Sequence, residues 1–168
     1  MRLAVAVLAA SLLGGAASAQ MVSAAEPDSV ASAIQDAGYR ANLTVDRVGD
    51  PMVETSMGGY KVQVIFYDCT ANRDCQSLQF SAGFDRSQPM DPARALAFAH
   101  AYRYAAVSLD EEGDPFVSWD VITGPGIPQE TFQASVAEFD AVVGSFGDFV
   151  FANDTVDADE PAGEVISL

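Results

Sequence analysis

The sequence predicts an α+β domain built on an antiparallel sheet, and three observations carry that expectation. Tyr60 to Phe84 holds two alternating apolar runs separated by a short loop bounded by both cysteines, a connection short enough for antiparallel neighbours. Phe132, Val136, Phe139, Val143 and Phe146 recur at steps of four, three, four and three, the spacing of a helix with one buried stripe. Gly49-Asp50-Pro51, Gly58-Gly59 and Asp110 to Pro115 punctuate the rest into short strands.

The elements follow in order. Asp28 or Ser29 is placed to cap a first helix reaching about Ala37, with Val30, Ala33, Ile34 and Ala37 at helical spacing. Gly38 would end it in the left-handed conformation, with Tyr39 packing just beyond. Leu43 and Val45 alternate with polar neighbours as on a short strand, and Met52 to Thr55 would return after the Gly49-Asp50-Pro51 break. Paired glycines at 58 and 59 reach the positive φ that tight hairpins need. In the central strand Val62, Val64 and Phe66 share one face, and Lys61, Gln63, Ile65 and Tyr67 the other. Leu78, Phe80, Ala82 and Phe84 then alternate with Ser77, Gln79, Ser81 and Gly83, a pattern with one buried face.

Asp91-Pro92 is an N-cap followed by proline at the first helical position. The helix it starts is expected to run through ARALAFAHAYRY, with Ala95, Phe98, Tyr102 and Ala105 on one stripe. A hairpin follows, Ala106 to Leu109 and Phe116 to Ile122, with Val117, Trp119 and Val121 opposite Ser118 and Asp120. Gly124-Pro125-Gly126 is a loop without the lysine or glycine spacing of a phosphate cradle. The last helix spans about Gln129 to Phe146.

Composition bounds the compartment. Arg2, the apolar run Leu3 to Leu13 and Ala17-Ser18-Ala19 form the three parts of a signal peptide in order, and the run is too short to span a bilayer. The expected layout is a signal peptide over 1–19, a short linker over 20–27, the α+β domain over 28–151 and an acidic mobile tail over 152–168. The mature chain, with no membrane span, would be periplasmic or secreted. In that setting Cys69 and Cys75 read as a structural disulfide closing a short loop; a zinc pair lacks its other ligands, and a redox dithiol lacks the C-x-x-C spacing. The formal charge of -16, or -17 once Arg2 leaves, repels phosphate backbones and anionic lipid, which argues against a nucleic-acid partner.

One internal repeat stands out. Asp46 to Val53 and Asp110 to Val117 both read D-x-x-G-D-P-x-V. The plainer reading is a shared hairpin turn built from Gly49, Asp50 and Pro51 and from Gly113, Asp114 and Pro115. The sharper one is cation ligation by Asp46 and Asp50, or by Asp110, Glu111, Glu112 and Asp114, although the EF-hand order is absent. No catalytic constellation emerges: His100 is the only histidine, without a neighbouring nucleophile or second ligand, and no metal or cofactor is expected. Lys61, Gln63, Ser77, Gln79, Ser81, Ser118 and Asp120 would form a small polar sheet face that meets either solvent or a partner.

GDPMVETSMGGYKVQVIFYDC, CQSLQFSAGF and AAVSLDEEGDPFVSWDV resemble the YbjN-domain family of bacterial sensory transduction regulators, over roughly Asp28 to Phe149. Its most specific parts here are the two GDP turns, the FY-x-C with a second cysteine, and the LD-x-x-GDP hairpin. The resemblance implies an α+β fold like that of type III secretion chaperones, and regulation without agreed catalytic residues. Phe98-Ala99 stands where many members carry Trp-Asn, and Pro128 where a serine caps the last helix. The resulting expectation is an exported, non-enzymatic binding, chaperone-like or regulatory module. Its partner would be another protein or a second copy of the chain, and the alternative is a small-ligand or cation sensor working through the acidic turns.

Overall fold

The computed structural model of the chain describes residues 20–152, so the expected signal peptide and acidic tail lie outside the described residues. Along the described chain run β1 (Met21–Val22), α1 (Pro27–Asp36), β2 (Asn42–Val45), β3 (Pro51–Met57), β4 (Tyr60–Tyr67) and β5 (Ser77–Gly83). Then come α2 (Pro92–Ala101), β6 (Ala106–Leu109), β7 (Pro115–Ile122), β8 (Ile127–Pro128) and α3 (Gln129–Phe151). Six strands form one sheet in the order β2-β3-β4-β5-β7-β6, with every neighbouring pair antiparallel. β1 and β8 form a separate two-stranded pair.

Strand alternation divides the sheet into a buried and an open face. Val53, Val62, Val64, Phe66, Leu78, Phe80, Ala82, Val117 and Val121 are all buried, and the helices pack over them. The five expected apolar positions of α3 are fully buried, Val142 widens the stripe, and Gly147 and Val150 extend it past Phe146 to the last turns. Phe80 lies between Phe132 and Phe139 at ring separations of 5.9 and 5.4 Å, and Phe98 meets Phe146 edge-on at 4.7 Å. Truncating such a ring to alanine costs about 3–5 kcal/mol, so this seam holds the layers together. At the far end of α3, Arg86 donates to the Val150 carbonyl and Arg94 to the Phe149 carbonyl, cations set where the helix dipole favours them.

Several expectations need correction. Residues 20–27 are no linker: β1 pairs with β8, and Val22 and Ala24 are fully buried. Two residues are too few to show a period, so this strand leaves no signal in the sequence. Neither Asp28 nor Ser29 caps α1; Glu26 holds the N-cap position without a side-chain bond, and Pro27 opens the helix. The Ser29 hydroxyl instead accepts from Ser23 N at 3.1 Å, tying β1 to α1. α2 stops at Ala101, so Tyr102 and Ala105 are not on its stripe. Tyr102 takes an extended backbone and stacks on Phe98 at 4.1 Å, and Tyr104 turns left-handed at φ 60 to lie on Trp119. The alanine-rich run favours a longer helix, but these two aromatic contacts outweigh propensity. Other boundaries hold: Asp91 caps α2 by accepting from Ala93 N at 2.8 Å, and Gly38 (φ 96) closes α1 with Tyr39 N bonded to Ile34 O.

Candidate functional site

The two D-x-x-G-D-P copies fold alike. Asp46 Oδ1 accepts from the N–H groups of Val48, Gly49 and Asp50, each at 2.9 Å, while Asp46 N donates to Asp50 O. Asp110 Oδ1 accepts from Glu112 N at 3.0 Å and Asp114 N at 2.9 Å, and Asp110 N donates to Asp114 O. Gly49 (φ 95) and Gly113 (φ 82) supply the left-handed step. Pro51 and Pro115 sit opposite Val45 and Leu109 at positions that exchange no hydrogen bonds with β2 and β6, so proline costs those two ladders nothing. The second aspartate of each copy reaches outward. Asp50 Oδ1 accepts from Asn72 Nδ2 at 2.8 Å, and Asp114 Oδ1 accepts from Arg86 N at 2.8 Å. One aspartate thus folds the turn and the other holds a neighbouring loop.

The loop held by Asp50 is the cysteine loop. Cys69 and Cys75 are joined, with Cα atoms 3.8 Å apart, and Cys75 is fully buried. Thr70 and Arg73 exchange backbone bonds around Ala71 and Asn72, both left-handed at φ 51 and 62, so the loop is a miniature hairpin with a primed turn. This geometry aims Asn72 at the first turn, where it also reaches Val48 O at 3.2 Å.

Lys61, Gln63, Ser77, Gln79, Ser81, Ser118 and Asp120 all project from the open face. The register aligns Glu54, Gln63, Ser81 and Ser118 across four strands, and sets Gln79 between Ile65 and Asp120. Gln79 donates to Asp120 Oδ1 at 3.0 Å and accepts from the Tyr67 hydroxyl at 3.5 Å. Among the described residues, two shallow depressions open here. One of about 510 Å³ lies between Arg40, Glu54, Lys61, Ser81 and Phe116; the other, about 620 Å³, lies over Met52, Gln63, Ile65 and Tyr67. Gly83 makes room for the first. A Cβ there would sit 2.4 Å from the Phe116 ring, which lies across the strand. Arg40, Glu54 and Phe116 were not among the expected face residues, although Phe116 shares the parity of Ser118 and Asp120 and Gly83 inside a strand pattern marks a close approach.

Other candidates do not converge. His100 is exposed in the last turn of α2. Asp68 accepts from the Ser77 hydroxyl at 3.1 Å, which fixes it to the neighbouring strand. Asp110, Glu112 and Asp114 place carboxylate oxygens within 4.8 Å of one another, but Asp110 already spends one oxygen on the turn. The perturbed titrating group is structural: the Tyr39 phenol is held above its ordinary 10.0 by burial and by Asp140, to which it donates. Asp140 also accepts from Gly58 N at 2.7 Å, so one α3 carboxylate holds both the α1–β2 connection and the β3–β4 turn.

Among the described residues, a single-layer antiparallel sheet with three helices on one face and the other face open defines a two-layer α+β fold. Residues 26–152 match the family model YbjN, described as "Putative bacterial sensory transduction regulator", and the chain belongs to that family. That description names regulation and no reaction. The chain is also similar to a solved structure entitled "Crystal structure of YbjN, a putative transcription regulator from E. coli", at 13% identity and a TM-score of 0.47, over 72% of this chain and 90% of that one. No curated protein matches the chain. Among the described residues no helix is long and apolar enough to cross a membrane, and the disulfide is compatible with an exported protein.

Proposed function

We propose that this chain is an exported, non-enzymatic regulatory or chaperone-like module whose open sheet face receives a protein partner. The carrying observation is that face. Among the described residues it is uncovered, ordered by cross-strand bonds, and mixes small polar groups with Met52, Ile65, Tyr67 and Phe116 around two depressions. Such a surface presents shape and hydrogen-bonding groups without a titratable pair poised for chemistry. Export rests on the signal-peptide pattern and the disulfide, with cleavage after Ala19. The periplasmic form should then begin at Gln20, which mass spectrometry reads directly.

The face is tested by capture from native periplasmic extract with the oxidised 20–168 chain. A stoichiometric partner should be retained by the wild type and by Thr131→Arg on α3, and lost with Gln79→Arg or Ser81→Arg at unchanged melting temperature. Equal retention by all four would move the site elsewhere. The cation reading keeps one supporting observation, the three clustered carboxylates at 110, 112 and 114. Calcium should raise the melting temperature only if that reading holds, and Asp110→Asn should then abolish the rise.

A further inference from the structure

The open face is not electrically uniform. Of the charged side chains around its first depression, Arg40 and Lys61 are positive and Glu54 negative, a local excess of cation in a chain that carries -16. Lys61 lies opposite Ser56 across the β3–β4 ladder, and Arg40 leads into β2 on the other flank of β3. Glu54 is shared with Asn42, whose Nδ2 donates to it at 3.5 Å. Elsewhere the fold uses its arginines: Arg86 and Arg94 hold carbonyls at the end of α3, and Arg103 lies on the Tyr104 ring. Among the described residues the side chains of Arg40 and Lys61 make no hydrogen bond or ion pair. The end of α3 lies close by. The Phe151 ring is 6.2 Å from that of Phe84, and Phe84 meets Tyr60 at 4.9 Å. Gly83 and Lys61, next in sequence to those two rings, border the depression on the opposite side of the sheet, as strand alternation requires.

Residues 153–168, outside the described residues, hold Asp154, Asp157, Asp159, Glu160 and Glu164 and no lysine or arginine. We infer that this segment folds back round the end of the sheet and docks in cis over the first depression, its carboxylates at 157, 159 and 160 against Arg40 and Lys61. Reach allows it. From Phe151 to Asp157 the chain spans up to about 20 Å, against a layer spacing of about 10 Å. Position selects the site. Arg47 and Arg73 sit in loops at the other end of the strands, about 20 Å along β4 from Lys61. Arg86 and Arg94 are already taken by α3. A short tether holds the carboxylates at millimolar effective concentration, so ion pairs that are individually weak at a surface suffice together. Docked there, the segment covers Ser81 and Phe116, and a protein partner has to displace it. The docking is a property of the chain alone; only that last consequence rests on the partner reading above.

A spin label on Ala158→Cys tests it, because both native cysteines are already joined and the substitution removes no charge. In the oxidised, isotope-labelled 20–168 chain at low salt, the label should broaden the amides of Lys61, Ser81 and Phe116 about threefold more than those of Arg47 and Arg73. Raising salt to about 1 M, where charges act over only about 3 Å, should cut that ratio at least twofold. The double variant Arg40→Gln, Lys61→Gln should do the same at an unchanged melting temperature, since both side chains are exposed, whereas Arg47→Gln should leave the ratio as it is. A segment that only trails past its exit gives a ratio that neither salt nor the double variant moves, which would overturn the inference. So would broadening seen only when spin-labelled chains are mixed with separate isotope-labelled ones, because the contact would then lie between copies. In periplasmic capture, Asp157→Asn with Asp159→Asn should retain more partner than the wild type. Capture without docking would overturn the inference and leave the partner reading standing; docking without capture would support the inference and end that reading.

Discussion

Asp46→Ala removes the acceptor of three amides at once, those of Val48, Gly49 and Asp50, each 2.9 Å from the same oxygen. Losing a comparable acceptor at a helix start costs about 1 kcal/mol and up to about 2. Val48 is exposed and its amide can turn to water, whereas Gly49 and Asp50 are partly buried, so the three losses do not add in full. The expected cost is about 2 kcal/mol. Asp46→Asn keeps an acceptor oxygen in place and should cost less than half of that. Asp110→Ala frees two amides in a more exposed turn and should cost about 1 kcal/mol. Urea unfolding of the oxidised protein at neutral pH, followed by circular dichroism, reads all three as midpoint shifts at constant slope. If Asp46→Ala leaves the midpoint unmoved, the side chain does not hold the turn. If Asp46→Asn is as damaging as Asp46→Ala, charge rather than acceptor geometry is what matters, and a bound cation becomes the better account.

Three further outcomes follow from single contacts. Gly58 combines φ 56 with a site where a Cβ would lie 2.4 Å from Gly144 N, so Gly58→Ala should cost about 3 kcal/mol; Gly59→Ala, with nothing within 4 Å, should cost about 1, and equal melts would refute the contact. The double variant Cys69→Ser, Cys75→Ser should lose about 2 kcal/mol, the chain-entropy value for so short a loop, and reductant should shift the wild-type urea midpoint by the same amount but not that of the variant. Tyr39 has a raised folded-state pKa, so its contribution is complete below the ordinary 10.0 and is lost as pH rises through the higher folded value. Tyr39→Phe should lower stability by about 1 kcal/mol at neutral pH and flatten that alkaline fall; identical alkaline slopes in variant and wild type would contradict the Asp140 bond.

Much of the candidate face was legible because alternation is local. Lys61, Gln63, Ser77, Gln79, Ser81, Ser118 and Asp120 share a parity within their strands, and parity alone puts each strand's members on one side. Their adjacency was not legible. Ser81 meets Ser118 only because β5 pairs with β7 and β6 is displaced to the edge, a choice made across a sequence separation of 37 rather than within either strand. The stack of Tyr104 on Trp119 is non-local in the same way, joining the connection after α2 to β7.

By itself the sequence determined the α+β class, the sheet strands, the two Asp-capped turns, the Gly38 terminator and the apolar stripe of α3. Each of these is set by residues within a turn or two of one another, where backbone propensity and hydrophobic period act directly. Only the tertiary structure decided which face the helices cover, that β1 closes on β8, and that Asn72 of the cysteine loop clasps Asp50. It also decided that Gly58 touches Gly144, and that β2 is left as an edge with Leu43 and Val45 uncovered. Those facts belong to pairs of segments brought together by burial of the common core, and no local pattern in either segment encodes its partner.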